Sequence, residues 1–200
     1  APGFDSALLF TPAADDDSNA GVTVYVEDEQ GGMASDAASI TIDAVNDAPL
    51  FSASTAATAA SADFSLDEDN VATLGADLAL AVSDLDTRSS VSNRLEIELA
   101  TGSGTIAVAP GTGAITSGSG TQSITVTGTM AQLSQALAGL SYMPAADASG
   151  AVAIIALVDD RGNSGSGGAQ TDTLSLNGTV AAVNDAPTWE SAPSSITVDE

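Results

Sequence analysis

Short runs in which apolar and polar residues alternate recur along most of the chain. Clusters of Gly, Asp, Asn and Ser separate them. Because successive side chains of a strand point to opposite faces, this period of two predicts half-buried β-strands. The predicted strands are FSL (64–66), LALAV (78–82), RLEIEL (94–99), TIAV (105–108), SITVTG (123–128), AVAIIALV (151–158) and TLSLNGTV (173–180).

One segment has a helical period instead. Thr129 is a suitable N-cap, and Gly139 is a suitable end. The apolar positions between and just beyond them fall on one face of a helix, which we interpret as core: Met130, Leu133, Leu137 and Leu140. The chain is therefore predicted to be all-β, a Greek-key sandwich of immunoglobulin or cadherin type with one short helix bridging its sheets.

The hexamer AVNDAP occurs twice, at 44–49 and at 182–187, and we call these copies the first and second tags. Their flanks also match: 10–31 parallels 142–163 at an offset of 132 residues, and FSLDE (64–68) parallels ITVDE (196–200) at the same offset. The second copy carries six more residues in its Gly-rich loop. A period of this length indicates repeated domains. The predicted units are the C-terminal part of one repeat (1–49), a complete repeat (50–187) and the first strand of a third (188–200).

Charge narrows the possible functions. The 200 residues contain 27 acids against three Arg, with no Lys and no His, for a formal net charge of −24. The negative electrostatic potential of such a chain disfavours binding to nucleic acids and to anionic membranes. The absence of Cys and His removes thiol nucleophiles, catalytic triads and the usual zinc ligands. We expect no enzyme, because adjacent carboxylates on a strand point apart and no aromatic platform for a sugar is evident.

The acids gather where predicted strands end, and Asp is commoner than Glu. Several carboxylates at one end of a sandwich repel one another unless a cation neutralises them. Calcium fits, since it takes six to eight oxygens from carboxylates, amides and carbonyls with tolerant geometry. Other interpretations remain open: the acids can be ordinary turn residues, the tags can be stiff spacers without metal, and overall acidity can be an adaptation to salt water.

These motifs resemble a known family. DAVNDAPLF (43–51) is similar to the acidic linker between cadherin repeats, and SDLDTRSSVSNRLEIEL (83–99) is similar to the cadherin stretch in which two Asp and a later Asn hold calcium. With the VNDAP tags and GTMAQLSQALAGLSYMP (128–144), the chain most resembles cadherin-like repeats of large bacterial surface adhesins of RTX type. The likeness covers essentially the whole chain, although the linker differs in the order of its acids and no RTX nonapeptide repeat is present.

The resemblance implies a non-catalytic, calcium-binding extender repeat that Ca²⁺ rigidifies at the linkers between repeats. At the first junction it implies the ligands Glu27, Asp28, Asp43, Asn46, Asp47, Asp84, Asp86 and Asn93. At the second junction it implies Glu68, Asp159, Asp160, Asn184 and Asp185, with the remainder from the next repeat. Glu27 with Asp28 and Asp159 with Asp160 stand in place of the family's acid-Arg-Glu triplet.

It also implies an extracellular or cell-surface location reached by type I secretion. The expected partners are neighbouring repeats of the same chain and, through other domains, host-cell, biofilm or self-assembly partners. Neither nucleic-acid binding nor membrane insertion is expected. The alternative function is a structural repeat of an extracellular filament, sheath or surface layer that assembles by lateral or end-to-end contacts.

Overall fold

A computed structural model describes residues 9–13, 16–53, 61–86, 93–162 and 165–187. The predicted strand at 188–200 lies outside these ranges. Among the described residues, no helix has the length and apolar character needed to cross a membrane.

The first described unit is an antiparallel hairpin of β1 (Ala20–Glu27) and β2 (Met33–Ile40). Ala20 pairs with Ile40 at the open end and Glu27 with Met33 at the turn. Several of its apolar side chains are exposed, Tyr25 and Met33 to more than three quarters. β1 matches β11 (Gly150–Asp159) of the complete repeat at the offset of 132 residues, so the hairpin is the counterpart in sequence of the β-hairpin that β11 begins.

The complete repeat is built on a six-stranded sheet in the order β4-β12-β11-β6-β9-β8. All its neighbours are antiparallel except β4, which runs parallel to β12. Its strands are β4 (Ser61–Asp67), β6 (Leu95–Thr101), β8 (Ile115–Ser117), β9 (Ser123–Gly128), β11 (Gly150–Asp159) and β12 (Thr171–Ala181).

The second layer contains two short strand pairs and two helices. β3 (Leu50–Ser52) pairs with β5 (Ala81–Ser83), and β7 (Thr105–Ala107) pairs with β10 (Ser141–Met143). The helices are α1 (Leu74–Asp77) and α2 (Met130–Ala138). α2 packs against α1, β5 and β9.

The core lies between these layers and follows the predicted alternation. On β6, Leu95, Ile97 and Leu99 are buried while Glu98 is exposed on the other face. The same pattern continues on β11 and β12 with the buried residues Ile154, Ala156, Val158, Leu174, Leu176 and Val180. The all-β sandwich class is therefore confirmed.

The helical segment is confirmed as α2. The Thr129 backbone N–H donates to Gln132 Oε1 at 2.9 Å, which satisfies one of the donors left free at a helix start. Leu133 and Leu137 are fully buried, and Leu140 is buried just beyond the helix.

Two details differ from the sequence prediction. The described part of the repeat has two α-helices where one was expected, because Leu74 and Leu78 are buried four residues apart, on one face of the short α1 turn. The predicted strand at 78–82 is correspondingly reduced to Ala81–Ser83. The short strands β3, β8 and β10 were not predicted, since three residues are too few to show a period.

Candidate functional site

The two ends of the sandwich carry the candidate residues. At the entry end, where the first tag leads into β3, β5 and β11 finish and β6 and β12 begin. At the exit end, β4 and β12 finish side by side, with Ala181 beside Asp67, and the second tag follows. The strand directions therefore decide which acids can meet which tag.

Asn46 of the first tag is buried, with 4% of its surface exposed. Its side-chain amide donates to Asp160 Oδ2 at 2.6 Å and to the Gly168 carbonyl at 2.9 Å. Its backbone N–H donates to the Ser166 carbonyl at 2.8 Å, and the Ser166 N–H donates to the Ala44 carbonyl at 2.9 Å. The linker is thus bound to the loop that follows β11, more than 100 residues later in the chain.

Asp160 organises that loop. Only 2% of it is exposed, and its Oδ1 accepts hydrogen bonds from the backbone N–H groups of Gly162 and Gln170, both at 2.8 Å. Its own N–H donates to the Gln170 carbonyl at 3.1 Å. A carboxylate buried this deeply needs such donors, because they replace the water that it has lost. Asp160 therefore connects the loop to the tag.

The Asp-x-Asp pair lies beside the same tag. Asp47 donates its backbone N–H to Asp86 Oδ2 at 2.6 Å, and Asp86 donates its N–H to Asp84 Oδ1 at 2.8 Å. Asp84 is buried, with 5% exposed. The pair thus lies beside the first tag, and its role as a metal ligand stays a prediction.

Three further side chains belong to the entry end. Asn93 is half-buried two residues before β6, whose Glu96 pairs with Asp159 at this end of the sheet. Asp43 is exposed just before the tag. Asp172 on β12 was not predicted; its Oδ2 accepts the Phe51 N–H at 2.8 Å and fixes the start of β3. A single acid inside a strand pattern offered no signal for this role.

At the exit end, Glu68 is buried, with 6% exposed. Its Oε1 accepts the Val183 N–H at 2.7 Å, and its own N–H donates to the Ala181 carbonyl at 3.0 Å. Glu68 thus lies beside the second tag, and its role as a metal ligand stays a prediction. Asn184 is exposed, and its side-chain amide donates to the adjacent Asp185 carbonyl at 3.3 Å.

Asp185 is surrounded by like charge. The pKa of its carboxyl is raised, first by the nearby Asp69 carboxylate, then by reduced hydration, then by the charges of Asp147 and Glu68 and a side-chain hydrogen bond with Asp147. Asp69 and Asp147 were not among the predicted ligands. Asp147 comes from the turn before β11, so only the folded chain reveals that it lies here.

The predicted placement of Asp159 and Asp160 at the second junction is wrong. Asp159 pairs with Thr171, the first residue of β12, whereas the second tag follows the last. Ten residues of strand separate the two positions, about 33 Å at about 3.3 Å per residue. Asp160 contacts the first tag instead, and Asp159 Oδ1 accepts the Arg161 N–H at 2.6 Å beside it.

The placement of Glu27 and Asp28 at the first junction is wrong for the same reason. Both lie at the turn of the β1–β2 hairpin, about 23 Å along the strand from the end that continues into the tag. Asp28 Oδ1 closes that turn by accepting the N–H groups of Gln30 at 2.9 Å and Gly32 at 2.7 Å. These acids belong to the entry end of the preceding repeat.

The donor types at the entry end suit a hard cation, since they are carboxylate, amide and carbonyl oxygens that gather around one linker. Much of this oxygen is already engaged by backbone N–H donors. Across the described ranges of the chain, no three acidic side chains are arranged as a formed metal centre. The chemistry therefore fits calcium, while the observed hydrogen bonds occupy part of the donor set.

Comparison with known proteins gives structural likeness but no match at the level of sequence. No protein-family model matches the chain, and no curated protein sequence matches it. The structure is similar to a crystal structure of human mucin-like protocadherin EC1-2, with a TM-score of 0.47 and 14% sequence identity, over 87% of this chain and 73% of that chain.

Proposed function

We propose that this chain is a non-catalytic extender segment of a secreted or cell-surface adhesin, in which calcium bound at the junctions stabilises tandem β-sandwich repeats. One observation carries the proposal. The linker between repeats meets the ends of two strands at once, through Asn46 on Asp160 and Asp47 on Asp86. A linker built into the next domain in this way transmits orientation from one repeat to the next.

Electrostatics gives calcium its proposed role. The chain has a net charge of −24, and acids from distant parts of the sequence gather at both ends of the repeat. A bound divalent cation supplies positive charge that offsets this repulsion. The residues that would hold it at the entry end are Asn46, Asp47, Asp84, Asp86, Asn93 and Asp160; at the exit end they are Glu68, Asp69, Asp147, Asn184 and Asp185.

The extracellular location and the export route rest on the sequence resemblance to bacterial adhesin repeats. The exact repetition of AVNDAP supports the tandem arrangement, because one junction sequence serves two positions. A dedicated binding domain elsewhere in the protein would favour the adhesin over a laterally assembled filament or sheath.

Calcium binding is tested by thermal unfolding with calcium and with chelator. We expect calcium to raise the melting temperature, because a ligand at about a hundred times its Kd stabilises the folded state by about 2.7 kcal/mol. Asp86→Asn should lose most of this gain. In chelator the variant should be at least as stable as the wild type, since Asn keeps an oxygen for the Asp47 N–H and removes one repelling charge.

Asp36→Asn is the matched control, because Asp36 is exposed on β2 and carries the same charge change. It should keep the full response to calcium. The proposal fails if calcium leaves the melting temperature unchanged, or if the two variants lose the response equally. Magnesium in place of calcium separates specific binding from general screening of charge.

A further inference from the structure

The Gly-rich loop after β11 is six residues longer than the equivalent turn of the β1–β2 hairpin. We call residues 160–162 and 165–170 the linker clamp, because they hold the first tag. The contact begins with the backbone. Val45 and Ser166 form a parallel β-bridge, with hydrogen bonds of 2.8 Å and 2.9 Å on either side of it. The tag thus gains a short stretch of β-pairing from a loop of the next repeat.

Side-chain hydrogen bonds make Asn the favoured residue at position 46, next to Val45. The Asn46 amide reaches Asp160 Oδ2 and the Gly168 carbonyl, while the Gln170 side-chain amide donates to the Asn46 carbonyl. Two donors of one amide group therefore meet two acceptors. A carboxylate at position 46 would place negative charge against buried Asp160, so this arrangement selects Asn.

Glycine permits the close approach. Gly165 has φ +72°, and a Cβ on it would lie 2.7 Å from the Asn46 nitrogen and 2.7 Å from the Val45 carbonyl carbon. Gly168 has a similar φ of +77°, yet a Cβ there meets no heavy atom within 4 Å. Both positions favour glycine by conformation, but only Gly165 is required by contact with the tag.

The second tag has the same six residues in a different environment. All of 182–187 is exposed, whereas Asn46 and Pro49 of the first tag are buried. The sequence of the hexamer therefore does not by itself account for the burial of Asn46 and Pro49. The first tag is held by the linker clamp and by Asp86, whereas the Val183 N–H of the second tag donates to Glu68 Oε1.

We propose that the linker clamp is a metal-independent binding site for the Val-Asn-Asp segment of the tag, so that the first junction is held in register before any cation binds. This goes beyond the proposed function, because the backbone bridge between Val45 and Ser166 and the two hydrogen bonds beside it use no side chain that is proposed to hold calcium. Calcium then adds to a junction that hydrogen bonds have already formed.

Amide hydrogen exchange in the presence of chelator tests the clamp. Asn46 and Asn184 share the neighbours Val and Asp, so their intrinsic exchange rates are equal. In the intact chain we expect the Asn46 N–H to exchange at least about tenfold more slowly than the Asn184 N–H. If the two exchange at the same rate in chelator, the clamp does not exist as described.

Gly165→Ala and Gly168→Ala both introduce the strain of a side chain at a positive φ, but only Gly165→Ala adds a steric clash with the tag. Comparing them distinguishes the effect of the clash from the effect of backbone strain. We expect Gly165→Ala to bring the Asn46 exchange rate close to that of Asn184, and Gly168→Ala to keep it slow. Equal effects of the two variants would overturn the proposal.

A second pair, Asn46→Asp and Asn184→Asp, distinguishes the clamp from metal binding. A tag held by hydrogen bonds should lose the protection of the Ser166 N–H in Asn46→Asp, and keep it in Asn184→Asp. A tag held only by calcium would be protected only when calcium is present, and would tolerate a carboxylate at 46. That result would contradict the proposed clamp but would agree with the proposed function.

Discussion

Two identical asparagines show how the environment decides what a residue does. Asn46 is buried against Asp160, while Asn184 in the same hexamer is exposed. The amide is suited to the buried place, because it donates to a carboxylate and to a carbonyl at the same time. Its chemistry was predictable from the sequence, but its partner was not, since Asp160 lies 114 residues away.

The carboxyl of Asp185 leads to a prediction for pH. Its pKa in the folded protein is raised above the ordinary value of 3.8, chiefly by Asp69, so folding disfavours its ionised form. The folded protein is therefore destabilised by this carboxylate at pH values above its raised pKa, where the group is ionised. At pH values below the ordinary pKa the group is protonated in both states, and the destabilisation disappears. Asp185→Asn should therefore raise the melting temperature at neutral pH in chelator, and should have no effect below about pH 3.

Thermal unfolding across this pH range checks the expectation, with Asp36→Asn as a control for the change in net charge. A melting temperature at pH 7 that falls in Asp185→Asn would contradict it. Calcium should reverse the order of stability, because the wild-type carboxylate then gains a partner that the variant lacks.

At the level of elements, the edge strand β4 depends on a glycine in its neighbour. Gly178 lies on the buried face of β12, and Phe64 of β4 covers it. Phe64 also meets Tyr142 edge to face, with ring centroids 6.0 Å apart. The missing side chain at 178 therefore makes room for an aromatic ring that joins the two layers.

Gly178→Ala should consequently destabilise the sandwich. A Cβ there would lie 2.4 Å from the Phe64 ring and 2.5 Å from Val152 Cγ1. Overpacking of this kind costs about 1–3 kcal/mol. Urea unfolding measures the cost, and Gly21→Ala in β1 is the matched control, because a Cβ at Gly21 meets nothing within 4 Å. An equal effect of the two substitutions would show that Phe64 does not need the space.

The helices differ in how well the sequence pattern predicts them. α2 was predictable because about two and a half turns of helical period stand between a cap and a glycine. α1 was not, because four residues hold little more than one period. The Gly-rich loop offered a signal in its six extra residues, although length alone could not say that it binds the linker.

The hairpin leaves much more of its apolar surface exposed than the complete repeat does. The repeat encloses a continuous core, whereas Val24, Tyr25, Val26 and Met33 of the hairpin are exposed. The corresponding positions of β11 pack against β6 and the second layer. Two strands alone are marginally stable, so the hairpin depends on partners that complete its sandwich.

Limited proteolysis with thermolysin should therefore cut within residues 20–40 before it cuts the complete repeat. Because the linker clamp protects the tag, cleavage at 44–49 should be slower than cleavage in the hairpin. Mass spectrometry of the products locates the cuts. Equal resistance of the hairpin and of residues 61–162 would mean that the hairpin is stabilised by contacts other than those expected.

The all-β class and the position of α2 could be predicted from the sequence alone, and so could the repeated hexamer and the clusters of acids. These features are local: a period of two, a helical stripe, an exact hexamer and a residue type each appear within a short stretch. Asp86, with Asp84 hydrogen-bonded to it, and Glu68 lie beside the tags near which they stand in the sequence.

Which acids lie at the same end of the sandwich depends on the fold. A strand of ten residues moves its last side chain about 30 Å from its first, so two acids on one hairpin can lie at opposite ends of the sandwich. This is why Asp160 meets the first tag and Asp147 the second. The direction of β11 in the sheet, which no local pattern encodes, fixes the site.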